Sequence, residues 1–304
     1  MCGIAGFVND MPIDVKCPVL QRMTDMIAHR GPDSEGHYID EHAALGHRRL
    51  SIIDLGGGQQ PIYNEDGSKV ITFNGEIYNY QTLREELIAA GHTFTTKSDT
   101  EVLLHGYEQW GVDLLQRVRG MFTFVIWDKN KQELFGARDH FGIKPFYYAK
   151  MNGTFMYASE IKSLLRHPDF VKELNAEALK PYMTFQYPAI GETFFKGVYK
   201  LPEGHYFTYR DGKMDIHRYY DEDFREGKQK LGELVNSIDQ TVCDSVKAHQ
   251  IADVEVGSFL SSGVDSSYVA AVARPQHTYS IGFGKGTYNE SQLSLIHISE
   301  PTRL

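Results

Sequence analysis

The chain has 304 residues, 41% of them apolar, enough to bury the cores of two domains. Its formal charge of -9, with no Lys/Arg block, excludes the basic footprint that a nucleic-acid partner needs, while a single nucleotide held by backbone amides stays compatible. No apolar run nears the roughly 18 residues of a membrane-spanning helix, so no membrane partner and a cytoplasmic location are expected.

At the start, "MCGIAGFVND" has no basic region ahead of its apolar stretch and does not read as a signal peptide. Removing Met1 would put a thiol and a free α-amine on one residue, Cys2. With unperturbed pKa values of about 8.5 for the thiol and about 7.7 to 8.0 for the amine, the amine is a general base within reach of its own side chain. The competing reading is a small buried residue ahead of an N-terminal strand. Cys2, Cys17 and Cys243 are scattered, odd in number and without metal-ligand spacing, which argues against a disulfide framework and a zinc site. No metal ligands of the protein are identified.

Next in order, "VLQRMTDMIAHR" carries the three-and-four apolar spacing of a helix, and "KVITFNGEIYN" the character of a strand. "NYQTLREELIAAG" and "DTEVLLHGYEQWG" predict helices that end near Gly. "GMFTFVIWDKNKQELFGARD", then "PFYYAK" and "TFMYAS" joined by "MNGT", predict hairpins. This mixture predicts a layered α+β domain with sheets buried between helices. The charged stretch "DEDFREGKQK" reads as a linker. Beyond it, "LGELVNSIDQTVCDSVKAHQI" predicts an amphipathic helix with Leu234, Ile238, Val242 and Val246 on one face. "DVEVGSFL", "SSGVDSS", "YVAAVA" and "HTYSIGF" then give a strand, turn, helix and strand, the opening of a parallel α/β sheet.

Five blocks stand out by order and spacing: "MCGIAGF", "AHRGPDSEG" at 28–36, "GHRRLSIIDL" at 46–55, "FNGEIYN" at 73–79 and "KSDTEVLL" at 97–104. They resemble the glutamine amidotransferase domain of the N-terminal nucleophile (Ntn) hydrolases, specifically that of glutamine-hydrolysing asparagine synthetases. The likeness continues through "GARDHFGIKPFYY" and "FFKGVYKLPEGHY" over essentially residues 1–290. It implies a four-layer α/β/β/α sandwich over 1–218, a linker at 219–228, and at 229–292 the beginning of an ATP-pyrophosphatase (adenine nucleotide α-hydrolase-like) synthetase domain.

Carried over residue by residue, the resemblance implies that Cys2 attacks the side-chain amide of glutamine and releases ammonia. The Asn74 side chain and the Gly75 N–H would form the oxyanion hole. Arg49 would hold the substrate carboxylate, Glu76 and Asp99 its ammonium, and Arg30 would sit on a loop closing over the site. Each has an ordinary alternative: an ion pair for Arg49, a helix N-cap for Asp99, and a hairpin turn for Asn74-Gly75. His29, His47 and His140 are left as structural.

"SSGVDSS" resembles the Ser-Gly-Gly-x-Asp-Ser loop of ATP pyrophosphatases, with Ser262 in place of the first glycine. The likeness implies ATP held by Ser261, Ser262, Gly263, Asp265 and Ser266, with Leu260 and Ile281 beside the adenine and Mg²⁺ on the phosphates. A plain strand–helix connection is the alternative. In the family ATP adenylates aspartate, and ammonia completes asparagine. Glutamine, aspartate and ATP are therefore the expected partners, with a homodimer as candidate assembly. Two other readings stay open: an amidotransferase with a β-lactam-forming or peptidoglycan-amidating acceptor, and a non-catalytic module. The likeness stops at "YNESQ". The string "LSLIHISEPTR" that follows looks like the translation of a sequencing-library adapter, so residues 293–304 are expected to be read-through from a truncated fragment.

Overall fold

The computed structural model describes residues 1–187, 191–261 and 263–281. Ser262 and residues 282–304, and with them the end of the expected synthetase segment and the adapter-like tail, lie outside the described residues. The chain forms two compact units, Met1–Asp223 and Phe224–Leu304.

The first unit begins with β1 (Gly3–Val8), α1 (Ile13–Asp25), β2 (Ser34–Ile39), β3 (Ala43–Arg49), β4 (Ile62–Tyr63) and β5 (Lys69–Ile77). It continues with α2 (Tyr80–Ala89), α3 (Asp99–Trp110), β6 (Gly120–Asp128), β7 (Glu133–Arg138), β8 (Tyr147–Met151) and β9 (Thr154–Ala158). After α4 (Ile161–Leu164) and α5 (Leu179–Phe185), it ends with β10 (Val198–Lys200), β11 (His205–Arg210) and β12 (Lys213–Arg218). Two six-stranded antiparallel sheets result, ordered β10-β8-β9-β1-β3-β2 and β12-β11-β7-β6-β5-β4.

Period-two alternation assigns the faces. On β1, Ile4 joins Leu45, Phe155, Val125, Trp127 and Phe207 in the core between the sheets. Its neighbours Ala5 and Phe7 point the other way, onto Val19, Leu20 and Met23 of α1 and Leu164 of α4. Across the second sheet Leu134 faces inward, while Phe135 stacks on Tyr107 of α3 with ring centroids 4.8 Å apart. The layers are therefore helix, sheet, sheet, helix, the expected sandwich.

Most expected elements of the first unit form near where the pattern put them, whereas the strand expected in "DVEVGSFL" is reduced to Ser258–Phe259 and the helix expected through Arg30 ends at Asp25. The "MNGT" turn joins β8 to β9 through Asn152 and Gly153, both at positive φ (49° and 83°), as a tight hairpin requires. That helix, α1, differs at its other end as well: it starts at Ile13, not Val19, and runs through Pro18. The lost hydrogen bond is offset by the burial of Val19, Leu20 and Met23 and of Lys16, whose ammonium donates to the carbonyls of Asp40 and Glu41.

In the second unit α6 (Leu231–Ala248) precedes a parallel pair, β13 (Ser258–Phe259) and β14 (Thr278–Tyr279), linked through α7 (Val264–Ala273). The expected apolar stripe of α6 is only partly covered among the described residues: Leu234 and Ile238 stay exposed, and Val242 and Val246 are half-buried. No helix among the described residues is long and apolar enough to cross a membrane.

Asp40 organises the turn between β2 and β3. Its carboxylate accepts from Tyr38 Oη, from the His42 and Ala43 amides at 2.8 and 2.6 Å, and from Trp127 Nε1 at 2.7 Å across the core. Burial pushes this carboxyl up, but those four donors outweigh burial and hold it below its usual range. Asp40→Ala is therefore expected to lower the unfolding free energy at pH 7 by about 3 kcal/mol, read by urea denaturation. Because the folded-state pKa is depressed, the difference should be full above about pH 4 and shrink as pH falls further.

Candidate active site

Cys2 lies one residue ahead of β1, the strand paired on one edge with β3 and on the other with β9. Its thiol sits against Leu50, whose N–H donates to Sγ at 3.4 Å and whose carbonyl lies 3.5 Å from Sγ. Burial raises the thiol pKa. A small cleft adjoins the thiol, lined among others by Met1, Cys2, Arg49, Asn74, Glu76 and Asp99.

Asn74 and Gly75 come from the end of β5, not from a hairpin turn: they pair with Thr123 and Phe122 of β6. Asn74 is 1% exposed, and neither its Oδ1 nor its Nδ2 has a hydrogen-bond partner within the protein. A buried amide with both ends unpaired costs a few kcal/mol, and this one lies on the cleft wall, where a bound ligand could supply the missing partners. At Gly75 an added Cβ would overlap the Met121 carbonyl, so only glycine lets β5 and β6 approach this closely beside the cleft.

Arg49 ends β3 and is 5% exposed. Its Nη2 donates to the carbonyls of Ile53 at 3.1 Å and Asp54 at 2.6 Å, and Nη1 to Leu55 at 3.4 Å, which fixes the guanidinium at the cleft wall. Asp99 is the first residue of α3. The cap of that helix is Ser98, whose hydroxyl accepts from the Thr100 N–H at 3.2 Å, so the alternative reading of Asp99 as the cap is replaced by its neighbour. Asp99 Oδ2 instead accepts from the Ile77 N–H at 3.0 Å and ties the helix to the end of β5. Burial, reinforced by the nearby charge of Glu76, pushes the Asp99 carboxyl up to about 7.

Arg30 occupies a different place from the loop expected over the site. It ends a short 3₁₀ turn, Ala28–Arg30, and its Nε donates to the Cys2 carbonyl at 2.9 Å while Nη1 pairs with Glu160 at 3.0 Å. It clamps the backbone of Cys2 and is not among the residues lining the cleft. His47 is fully buried, its pKa lowered to about 3 by burial, and neutral; its Nε2–H donates to the Phe73 carbonyl at 3.0 Å, joining β3 to β5 across the two sheets.

Lys144 is a cleft residue that motif reading passed over. It is 3% exposed, burial lowers its pKa, and its ammonium reaches Met1 Sδ at 3.3 Å. Asp139 builds the turn that delivers it, accepting from the amides of Phe122, Phe141, Ile143 and Lys144. Arg138 locks the same turn by donating to the carbonyls of Gly142, Lys144 and Leu201. The available signal was a lysine inside "GARDHFGIKPFYY", a block otherwise apolar or turn-forming on either side.

In the second unit Gly263 precedes α7, and the Ser261 and Ser266 hydroxyls lie 2.8 Å apart beside it. Among the described residues, an added Cβ on Gly263 would press on the Ser261 hydroxyl at 3.2 Å and meet that of Ser266 at 3.9 Å, so the nearest side-chain atoms before the helix are polar. That strand–turn–helix arrangement fits a phosphate group. Asp265 lies in the first turn of α7; Leu260 is buried and Ile281 is 71% exposed.

Comparison with known proteins agrees with both parts. Residues 1–220 match the glutamine amidotransferase domain family, and residues 237–296 the asparagine synthase family. "Asparagine synthetase [glutamine-hydrolyzing] 1" of Bacillus subtilis is 44% identical over 298 residues, which cover 95% of this chain and 47% of that protein. "Amidase chry2" of Gibberella zeae is 35% identical, with 90% of this chain and 42% of that protein covered. The chain spans about half the length of such relatives. Among solved structures, the glutamine phosphoribosylpyrophosphate amidotransferase of B. subtilis superposes with a TM-score of 0.54 at 18% identity, over 92% of this chain and 66% of that one, a likeness of fold.

Asp99 gives the site a measurable signature. Its folded pKa is raised, so stability is full while the group is protonated and is lost as pH rises from the unfolded value through about 7. Asp99→Asn keeps the acceptor for Ile77 and removes the buried charge. The variant should be more stable than the native chain at pH 8 by about 3–4 kcal/mol, with the difference reduced to roughly 1–2 kcal/mol at pH 5 and gone below about pH 4. Equal melting at both pH values would show that Asp99 does not titrate there.

Proposed function

The chain belongs to the glutamine amidotransferase domain family, and on that premise we propose that it releases ammonia from glutamine at Cys2. The observation that carries the reading is the buried Asn74 amide without an internal partner, set on the same cleft as the Cys2 thiol. Once Met1 is removed, the Cys2 amine takes the thiol proton as Sγ attacks the glutamine side-chain carbonyl carbon. The oxyanion that forms is met by Asn74 Nδ2 and the Gly75 N–H. The intermediate collapses as the nitrogen leaves with a proton from the amine, giving ammonia and a thioester. Water then attacks the thioester, and glutamate departs. Arg49 holds the α-carboxylate and Glu76 with Asp99 the ammonium, so that only an α-amino acid meets both charges. Arg30 and Lys144 support the nucleophile, one at its carbonyl and one from the cleft.

For the whole protein the reading is a glutamine-hydrolysing asparagine synthetase. ATP would meet Ser261, Gly263, Asp265 and Ser266 at the N-terminus of α7, and there activates aspartate toward ammonia. Mg²⁺ would accompany it on the phosphates. A boundary near residues 218–228 between the two activities agrees with the change of compact unit after Asp223. The relative named as an amidase keeps a different acceptor as the second reading.

The Met1-processed chain is expected to form glutamate from glutamine, and Cys2→Ala to abolish this. Asn74→Ala should lower kcat by about 100-fold or more with a smaller change in KM. Hydrolysis that persists in Cys2→Ala, or an Asn74→Ala protein impaired only in KM, would sink the assignment.

A further inference from the structure

Away from the cleft, four side chains from three segments converge: Glu65 from the turn between β4 and β5, His92 from the connection between α2 and α3, and His105 and Glu108 from α3. One ligand atom of each lies within 4.8 Å of every other. His92 Nδ1 is 3.4 Å from Glu65 Oε1, His105 Nδ1 is 3.4 Å from Glu65 Oε2, and His105 Nδ1 is 3.1 Å from Glu108 Oε2. Tetrahedral zinc, with bonds of about 2.0–2.2 Å, sets neighbouring ligand atoms about 3.3–3.5 Å apart; the two edges from His105 Nδ1 to Glu65 Oε2 and Glu108 Oε2 are already near that length, and His92 reaches the other oxygen of Glu65.

The outer contacts aim the ligands. His92 Nε2 lies 3.2 Å from Gln109 Oε1, and His105 Nε2 lies 3.5 Å from Glu101 Oε1. The His92 ring therefore has an oxygen acceptor on its far nitrogen, the arrangement that fixes a metal-binding tautomer with Nδ1 toward the cluster, while His105 Nε2 is buried without a hydrogen-bond partner among the described residues and faces Glu101 at ion-pair range. Glu108 accepts from Asn64 Nδ2 at 2.7 Å on Oε1, leaving Oε2 to the cluster. Glu65 accepts from the Thr93 N–H at 3.0 Å.

We propose that Glu65, His92, His105 and Glu108 form a structural binding site for one divalent cation of the zinc type. Two imidazoles with two carboxylates suit zinc over magnesium or calcium, which take oxygen ligands. With all four positions filled by the protein, the site is of the closed, structural kind. Its effect is to staple the β4–β5 turn and the α2–α3 connection to the helix that carries Asp99.

The alternative use of the same residues is an ion-pair network. Burial pulls the His105 pKa down, but Glu101, Glu108 and Glu65 outweigh it and push the value up to about 9, so without a cation the ring is protonated among them. Lys69 adds a second positive charge 3.4 Å from Glu108. A cation must displace the His105 proton, and its affinity should weaken from pH 8 to pH 6.

The test is calorimetric titration of the full chain, stripped with EDTA, with Zn²⁺ at pH 8. One Zn²⁺ per chain is expected, weakened by about 100-fold in Glu65→Gln and in His92→Gln. Both variants should melt with the stripped native chain. Cobalt loaded into the native chain should give the absorption of a tetrahedral nitrogen and oxygen site with no thiolate charge-transfer band, which separates this site from Cys2. A native chain that takes up no Zn²⁺, or uptake that survives both substitutions, overturns the proposal in favour of the ion-pair network. Where a variant melts early, the cobalt spectrum decides: a thiolate band or an octahedral spectrum overturns it.

Discussion

A chain end is the part of a protein that is hardest to hold still, and this site is built on one. The solution is to make the first strand an interior one. β1 pairs on both edges, and the pairing is extended at its start: Ser159 Oγ accepts from the Ile4 N–H at 3.0 Å and the Ser159 N–H donates to the Ile4 carbonyl at 2.8 Å. Arg30 holds the Cys2 carbonyl and Leu50 the thiol. A strand paired on both edges right up to its start loses the fraying that most chain ends show, and Cys2 acquires a defined position without needing a loop to carry it.

The groups gathered around that terminus are costly ones. Asp99 and Lys144 are both pushed by burial toward their neutral forms, and Asn74 is left unpaired. Each would be removed by selection for stability alone. The scaffold absorbs the cost elsewhere, through the aromatic core between the sheets and polar anchors such as Asp40, whose acceptor capacity is fully used. The rigidity of the Arg138–Asp139 turn serves the same end, because a buried lysine is tolerated only where its backbone has no other conformation to adopt.

Local signals made much of this legible. The apolar and aromatic runs of β6 and β7 and the Asn-Gly turn at 152–153 depend on near neighbours, and these elements form where the pattern put them. The blocks around Cys2, Arg49, Asn74 and Asp99 could be read because each side chain stands beside distinctive neighbours. What escaped reading depends on distant partners. The start of α1 was hidden by Pro18, whose penalty is offset by burial on a sheet the helix cannot know of. Lys144 and the Asp40–Trp127 pair gain their roles only when strands far apart in sequence meet. Arg30 was identified as important but its direction was not readable, since its partners, Cys2 and Glu160, are separated from it by 28 and 130 positions. The Glu65, His92, His105 and Glu108 group has no compact spacing and comes together only in space.

Met1 has a consequence of a different kind. It lines the cleft, and its sulfur lies against the Lys144 ammonium. On the proposed function it fills room that glutamine would use, and the amine that would serve as base is tied up in a peptide bond. On the same reading, loss of Met1 would clear that room and free the amine in one step.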